Sequence, residues 1–285
     1  MAQRTRRWLR WVLLSPLVLA ALLVVWGLLD ATGGVGAQAI YNHRWTAPDG
    51  SELGGYLIRP AQARRFVTEP ATGNRAPARP GPDGTLPAVL MIHEWWGLNL
   101  ETRAMAEQLA ADGYVVLAPD ALGGRASVSV PGALMQLLLV PRDRIIRDVD
   151  AALAHLRTLE GVDPERVAVL GFCFGGTQAM QLGSRNPDLN ASVILYGGNP
   201  FNEPEQIGAL GAGGPVFGVY GAEDASIPLG RVRRFEELLA EAGRPAMIRV
   251  YEGVGHAFVN PESIREGGTA ARAWDDVRRF LSNEL

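Results

Sequence analysis

The chain of 285 residues is 47% hydrophobic, and its 27 basic and 30 acidic residues give a net charge of −3. Every basic residue is arginine, and four lie within the first ten positions, so residues 30–285 carry 23 arginines against 30 acids. This acidic body without a basic stripe argues against nucleic acid as a partner, and the single cysteine, Cys173, excludes an internal disulfide.

The N-terminus combines an arginine cluster with a long uncharged run. Trp11–Leu29 spans 19 residues without a charge and follows the four arginines. That length favours a membrane anchor over the shorter apolar core of a signal peptide, and the arginines predict a body outside the cytoplasm, periplasmic or extracellular. Cleavage after Ala39 is the alternative and would release a secreted protein. We expect residues 1–39 to be anchor and spacer, and residues 40–285 to be one folded domain.

The body begins with a predicted hairpin, formed by Tyr41–Ala47 and Glu52–Arg59, and an irregular connection over Ala61–Leu86. From there strands alternate with helices, which predicts an α/β fold: a mostly parallel sheet with helices on both faces. The predicted strands are Ala88–Ile92, Tyr114–Ala118, Val167–Leu170, Ala191–Tyr196, Pro215–Tyr220 and Met247–Tyr251. The predicted helices are Leu100–Ala111, Arg142–Leu159, Thr177–Ser184, Leu229–Ala242 and Thr269–Leu281.

The one cysteine follows the third of these strands in a glycine-rich turn. Gly171-Phe172-Cys173-Phe174-Gly175 is the cysteine form of the Gly-x-Ser-x-Gly nucleophile elbow. A strand that turns sharply into a helix strains its apex residue and leaves little room for side chains two positions away. The first turn of the following helix would favour a thiolate at Cys173. The alternative is a structural turn that holds a small buried cysteine.

A nucleophile at this position needs an orienting acid and a base, which follow it along the chain in that order. Two later loops leave the carboxyl ends of predicted strands, where catalytic groups of parallel sheets collect. They indicate Asp224 as the acid, with Glu223 as its competitor, and His256 as the base. The other histidines are interpreted as structural residues: His43, His93 and His155.

The end of the first parallel strand predicts the other half of the site. The loop His93-Glu94-Trp95-Trp96-Gly97-Leu98-Asn99 begins where a hydrolase of this architecture builds its oxyanion hole. The two donors would be the backbone N–H groups of Trp95 and Phe174. Glu94 is predicted to point inward, where a carboxylate can hold the thiol proton or the histidine until substrate arrives.

Together these motifs resemble the dienelactone hydrolase family, from roughly Tyr41 to the C-terminus. The shared features are His-Glu-Trp-Trp-Gly-Leu-Asn, Ala-Pro-Asp, Gly-Phe-Cys-Phe-Gly-Gly, Gly-x-x-Asp-x-x-x-Pro and Gly-His-Ala-Phe. The resemblance implies an α/β-hydrolase fold and a triad of Cys173, His256 and Asp224. It also implies that Glu94 pairs with the resting thiol and releases it on substrate binding. It implies neither a metal nor an organic cofactor.

The substrate-recognising positions depart from the family pattern. Family enzymes that act on dienelactone carry one arginine shortly after the Pro-Asp strand end and another four residues after the catalytic histidine. Here Arg125 stands one place late and Asn260 occupies the second position. We predict that Arg125 and Trp96 contact the substrate in an altered clamp. The apolar run Ala133–Val140 indicates a core helix, or else a lid over the site or a patch near the bilayer. The lid and the patch would suit a substrate less polar than dienelactone.

The leading hypothesis is a hydrolase of small-molecule esters or lactones that works through an acyl-cysteine. The alternative is an exported binding protein that keeps the fold without turnover. A redox sensor is less favoured, since the chain has no second cysteine to resolve a sulfenic acid. The sequence leaves the oligomeric state and the physiological substrate open.

Overall fold

The computed structural model describes residues 18–30, 36–66, 78–198, 209 and 212–285. Residues 11–17 of the predicted anchor, residues 31–35 of the spacer and residues 67–77 of the connection lie outside the described residues. Over the rest, the expected alternation of strands and helices is confirmed.

The core of the molecule is a mostly parallel sheet, with eight strands in the described part of the chain. They are β1 (His43–Thr46), β2 (Glu52–Ile58), β3 (Leu86–Ile92), β4 (Val115–Pro119), β5 (Val162–Phe172), β6 (Ala191–Leu195), β7 (Val216–Gly221) and β8 (Ala246–Tyr251). Their order across the sheet is β1-β2-β4-β3-β5-β6-β7-β8. β1 and β2 form the predicted antiparallel hairpin, β2 is antiparallel to β4, and the other neighbours are parallel.

The helices of the body match the predicted helical segments closely. The helices are α1 (residues 18–30), α2 (Pro60–Ala63), α3 (Leu100–Ala111), α4 (Val130–Leu139), α5 (Arg142–Thr158), α6 (Phe174–Arg185), α7 (Leu229–Glu241), α8 (Pro261–Glu266) and α9 (Gly268–Glu284). Two short helices, α2 and α8, were not expected. α8 carries a proline at its start and an asparagine cap, which are typical signals of a helix N-terminus.

Helices bury both faces of the central strands, which explains their continuous apolar runs. On one face Val89 of β3 belongs to the same core cluster as Trp274 of α9. On the other face Leu90 of β3 belongs to a cluster with Leu153 of α5. Because the parallel strands all point the same way, the carboxyl ends of β3, β5, β6, β7 and β8 meet at one edge of the sheet.

β5 is longer than predicted, since it begins at Val162 and not at Val167. Leu86 pairs with Val162 while Ala88 pairs with Val167, so the residues between the two valines leave the regular register. This irregularity interrupts the apolar run that marks a buried strand. The sequence pattern therefore detects only the second half of β5.

The last turn of α1 contacts the body of the chain. The carboxylate of Asp30 accepts hydrogen bonds from the hydroxyl groups of Ser127 and Ser129, and from the Ser129 N–H at 3.0 Å. In the described part of the chain, no helix has both the length and the hydropathy that a membrane crossing requires.

Candidate active site

Cys173 lies at the apex of a sharp turn between β5 and α6, where the glycine spacing predicts it. Its backbone adopts φ 51° and ψ −112°, a combination that residues other than glycine rarely adopt. A Cβ on Gly171 would lie 2.0 Å from the Gly175 carbonyl oxygen, and one on Gly175 would lie 2.2 Å from the Ile92 carbonyl oxygen. Only glycine fits at these two positions, which is the steric cause of the spacing.

The structure joins His256 to Asp224 through a hydrogen bond of 2.7 Å between Nδ1 and Oδ2. Asp224 is buried, and its other oxygen accepts the N–H groups of Ser226 at 2.8 Å and Ile227 at 3.0 Å. These bonds fix the Asp224 carboxylate. Because Asp224 binds Nδ1 of His256, the other ring nitrogen, Nε2, takes no part in this hydrogen bond. Glu223, the competing acid, is exposed and its side chain has no part in this pair.

The electrostatics of the elbow hold the Cys173 thiol in its protonated form. Burial, together with the negative charges of Glu94 and Asp224, raises the pKa of Cys173 to about 12. A hydrogen bond from the Phe174 N–H lowers the pKa, which is the effect expected of a helix N-terminus. Burial outweighs that effect, so the thiolate that the sequence favours is not the resting state. Attack by this sulfur on a carbonyl carbon would require a base to remove its proton.

Glu94 interacts with both Cys173 and His256. Burial raises the pKa of the Glu94 carboxyl, while the charge of His256 lowers it. The same carboxylate raises the pKa of Cys173. The inward orientation predicted for Glu94 agrees with these interactions, since an outward carboxylate would be screened by water.

Tyr196 is a residue of the site that the sequence did not reveal. Its ring centroid lies 5.1 Å from that of His256, and its hydroxyl donates to the Val259 carbonyl oxygen at 3.0 Å. Burial and then the charges of Glu94 and Cys173 raise the Tyr196 pKa well above its usual range. Its φ of 42° is positive, as at Cys173, so two non-glycine residues of the site have strained backbones. The sequence identified Tyr196 only as the end of a strand.

His93 orients the peptide unit that contains the Trp95 N–H. The His93 ring is fully buried, and its Nε2 accepts the Ala121 N–H at 3.0 Å, which places the ring proton on Nδ1. Nδ1 then donates to the Glu94 carbonyl oxygen at 2.6 Å, and the Gly97 N–H donates to the same oxygen at 3.1 Å. Because this carbonyl and the Trp95 N–H share one planar peptide, His93 sets the direction of that donor.

Gln136 of α4 holds the next peptide unit of the same loop. Its side chain is fully buried, and its Nε2 donates to the Trp95 carbonyl oxygen. Its Oε1 has no hydrogen-bond partner in the described part of the chain. The Ser127 N–H donates to the Trp96 carbonyl oxygen at 2.8 Å. α4 and the turn before it therefore support the predicted oxyanion loop, a contact that sequence analysis missed.

Three positions that the sequence relates to substrate binding lie in loops or at a helix cap: Asn260, Trp96 and Arg125. Asn260 caps α8: its side chain accepts the Ser263 N–H at 3.0 Å and donates to the Ala257 carbonyl oxygen at 3.3 Å. These bonds engage both ends of the Asn260 amide. Trp96 is partly exposed and its ring meets that of Trp95 edge to face at 5.1 Å. Arg125 is partly exposed in the loop after β4.

A cavity of about 20 Å³ lies beside Glu94, with room for one water molecule. Among its lining residues are Glu94, Glu101, Phe172 and Asn260. The two carboxyl groups make this part of the site acidic. A larger cavity of about 240 Å³ opens between β7, β8 and α9, and none of the residues assigned to the site lines it.

Two further histidines contact each other outside this cluster. Nε2 of His43 and Nε2 of His155 are 2.8 Å apart, and the His155 ring stacks on Trp45 with centroids 5.1 Å apart. Their interpretation as structural residues agrees with this packing. In the part of the chain that is described, no three histidine, cysteine, aspartate or glutamate side chains are grouped to hold a metal ion.

Comparison with known proteins places this geometry in a family. The sequence profile described as "Dienelactone hydrolase family" matches residues 77–285. The chain belongs to the dienelactone hydrolase family. It is 31% identical over 253 residues to the "Putative carboxymethylenebutenolidase" of Escherichia coli strain K12, an alignment that covers 82% of this chain and 92% of that protein.

Solved structures of this family and beyond share the fold. A dienelactone hydrolase-like promiscuous phosphotriesterase from metagenomic libraries aligns with a TM-score of 0.66 at 22% identity, covering 85% of this chain and 97% of the other. An esterase from Thermogutta terrifontis aligns with a TM-score of 0.59 at 18% identity, covering 85% and 93%. These likenesses confirm the α/β-hydrolase fold that the resemblance implied.

Proposed function

We propose that this protein hydrolyses ester or lactone bonds through a triad of Cys173, His256 and Asp224. The observation that carries the proposal is the 2.7 Å bond between His256 and a buried Asp224, beside a cysteine on a strained elbow. Strain of this kind persists only where the surrounding structure enforces it, and it concentrates at functional sites. The relative from Escherichia coli supports the reaction class, since its name denotes hydrolysis of a lactone.

In the proposed mechanism, Nε2 of His256 takes the thiol proton and Sγ of Cys173 attacks the substrate carbonyl carbon. The N–H groups of Phe174 and Trp95 stabilise the oxyanion, each worth about 3 kcal/mol. The intermediate then expels the alcohol, which receives the proton from His256. Water that gives its proton to His256 hydrolyses the thioester, and the departing sulfur recovers that proton.

Glu94 is proposed to keep this nucleophile inactive until substrate binds. Its charge helps to hold the thiol protonated, and it interacts with His256 as well. A substrate that displaces or neutralises the carboxylate would lower the thiol pKa and release His256 at the same moment. Activation would then depend on the substrate, which protects a lone thiol from oxidation between turnovers.

We also propose that the acyl group of the substrate is uncharged. Asn260 stands where a carboxylate-binding arginine would be expected, and its amide is engaged in capping α8. Glu94 and Glu101 line the cavity next to it, so a substrate carboxylate would be repelled. Trp96 and Arg125 stay proposed substrate contacts.

The location proposed for the catalytic domain is outside the cytoplasm, with Trp11–Leu29 as an uncleaved anchor. The uncharged run of 19 residues after four arginines supports this orientation.

Hydrolysis of p-nitrophenyl acetate by the full chain in detergent tests the proposed chemistry. We expect turnover by the wild type and none above background with Cys173→Ala. Equal rates for the two proteins would refute the assignment of the nucleophile. Two p-nitrophenyl esters of the same dicarboxylic acid test the proposed preference for an uncharged acyl group: one keeps its second carboxylate, and the other carries a methyl ester there. Faster turnover of the ester with the free carboxylate would refute the preference.

A further inference from the structure

Helix α4 presents apolar side chains to solvent along its outer face. Leu134 is 52% exposed, Leu138 72% and Leu139 43%, and Val130 at its start is 58% exposed. The residue before the helix cap, Val128, is 90% exposed. The inner face instead holds Ala133 and the buried polar Gln136. Apolar side chains therefore cover the outer face of this surface helix, where polar ones are usual, and that face needs a non-aqueous neighbour.

Helix α1 carries exposed apolar side chains on all sides, not on one stripe. Its exposed large residues are Val18, Leu19, Leu22, Leu23, Val24, Val25, Trp26, Leu28 and Leu29. A helix that docks against one protein partner needs one apolar stripe, whereas a helix that is apolar all round suits a lipid surrounding. The uncharged run to which α1 belongs begins at Trp11, after the arginine cluster.

The two helices meet at the point where the uncharged run ends. Asp30, the first acidic residue of the chain, accepts hydrogen bonds from the Ser127 and Ser129 hydroxyl groups. Gly27 lies against Pro131 of α4, since a Cβ there would be 2.9 Å from the Pro131 carbonyl oxygen. The start of α4 is thereby fixed within one helical turn of the boundary between apolar and polar sequence.

We propose that the outer face of α4 lies in the surface of a lipid bilayer, next to the α1 anchor, and that uncharged lipophilic esters enter the site from the lipid. The observation behind this is the clamp between Asp30 and residues 127–129, which joins two exposed apolar surfaces into one. The inference rests on the proposed anchor and on the proposed uncharged acyl group.

The inner face of α4 connects this surface to the catalytic loop. Gln136 donates to the Trp95 carbonyl oxygen, and the Ser127 that contacts Asp30 also donates its N–H to the Trp96 carbonyl oxygen. A helix lying in the lipid surface would thus place the oxyanion loop directly beneath the membrane face. An ester dissolved among acyl chains could reach Cys173 without crossing bulk water.

Spin labels on the full chain test this arrangement. Leu138→Cys is labelled in a Cys173→Ser background, with Met247→Cys as the matched control, because Met247 is 47% exposed on the edge strand β8. Each protein is reconstituted into vesicles of phosphatidylcholine and phosphatidylglycerol. We expect the label at 138 to be more accessible to oxygen than to a water-soluble nickel complex, and the label at 247 to show the reverse.

Vesicle binding and label accessibility test the anchor and the placement of α4 separately. A chain that sediments with vesicles while the label at 138 stays aqueous would overturn the placement of α4. Spin–spin broadening at 138 would also overturn it, since it would show a second copy of the chain on that face. A chain that fails to sediment with vesicles would overturn both the anchor and this inference. None of these readings depends on turnover, so failure of the proposed chemistry would be seen separately with p-nitrophenyl acetate.

A kinetic measurement adds the functional consequence. Leu138→Glu should lower the rate on p-nitrophenyl dodecanoate dissolved in vesicles by about tenfold or more, from the lost burial of one leucine. Its rate on p-nitrophenyl acetate in water should be unchanged, because the Leu138 side chain is 72% exposed and is not one of the residues assigned to the site. An unchanged rate on the dodecanoyl ester would contradict delivery from the lipid.

Discussion

The resting thiol gives the sharpest quantitative expectation. With a pKa of about 12 in place of 9.0 for an ordinary cysteine, Cys173 carries about 10³-fold less thiolate at neutral pH. Alkylation by iodoacetamide proceeds through the thiolate, so at pH 7.5 we expect Cys173 to react about 10³-fold more slowly than a free thiol. Glu94→Gln removes one of the charges that raise this pKa, and its alkylation rate should be higher than that of the wild type.

Loss of the Glu94 charge should lower the pKa of the Cys173 thiol. A negative neighbour disfavours the thiolate, so its removal moves the pH at which alkylation accelerates to lower values. Glu101→Gln is the matched control, since Glu101 lines the same cavity and is not among the groups that shift the Cys173 pKa. The assay is the alkylation rate between pH 7 and 11, read as mass added to the Cys173 peptide. A Glu94→Gln profile that coincides with the wild type would refute the role of Glu94.

Three further predictions concern the acid, the loop and the elbow. Asp224→Asn should lower kcat for p-nitrophenyl acetate by about 10²–10⁴-fold, because His256 loses its carboxylate partner. Glu223→Gln, a change at the exposed neighbour, should keep the wild-type rate. Equal rates for the two variants would refute the assignment of Asp224 as the acid. Gln136→Leu should lower kcat about 10- to 100-fold with KM little changed, because the Trp95 loop loses its support; a loss confined to KM would contradict this. Gly175→Ala should lower the free energy of unfolding by about 1–3 kcal/mol in a denaturant titration, because the added Cβ would clash with the Ile92 carbonyl oxygen. Gly230→Ala is the control and should leave the free energy of unfolding unchanged, because a Cβ at Gly230 has open space around it.

Periodicity and turn chemistry were sufficient to predict the architecture. Local apolar patterns gave the helix over Leu100–Ala111 with its observed bounds, and the hairpin of β1 and β2. The start of β5 was missed because the polar residues between Val162 and Val167 leave the pattern while the chain still pairs with β3. That pairing depends on the tertiary contact, which no local window contains.

The positions of the candidate site residues could be predicted because each has a local signature, whereas the residues that support them could not. Cys173 and His256 stand in glycine-rich loops at strand ends, and their order along the chain restricted the choice of partners. Gln136 left one weak signal, as a lone polar residue within an apolar run, and the sequence offered no indication of what it contacts. Tyr196 had no signature beyond its strand end. The thiol pKa depends on burial, which the helix N-terminus alone could not indicate.

The central claim is an acyl group carried on Cys173, and acid quenching during turnover tests it most directly. The full chain is mixed with excess p-nitrophenyl acetate, quenched at times from milliseconds to seconds, and digested for mass spectrometry. The mechanism predicts one acetyl group on the Cys173 peptide of the wild type, appearing with the first turnover and absent from Cys173→Ala. Rapid turnover with no acetyl group on that peptide at any time would contradict the acyl-cysteine mechanism.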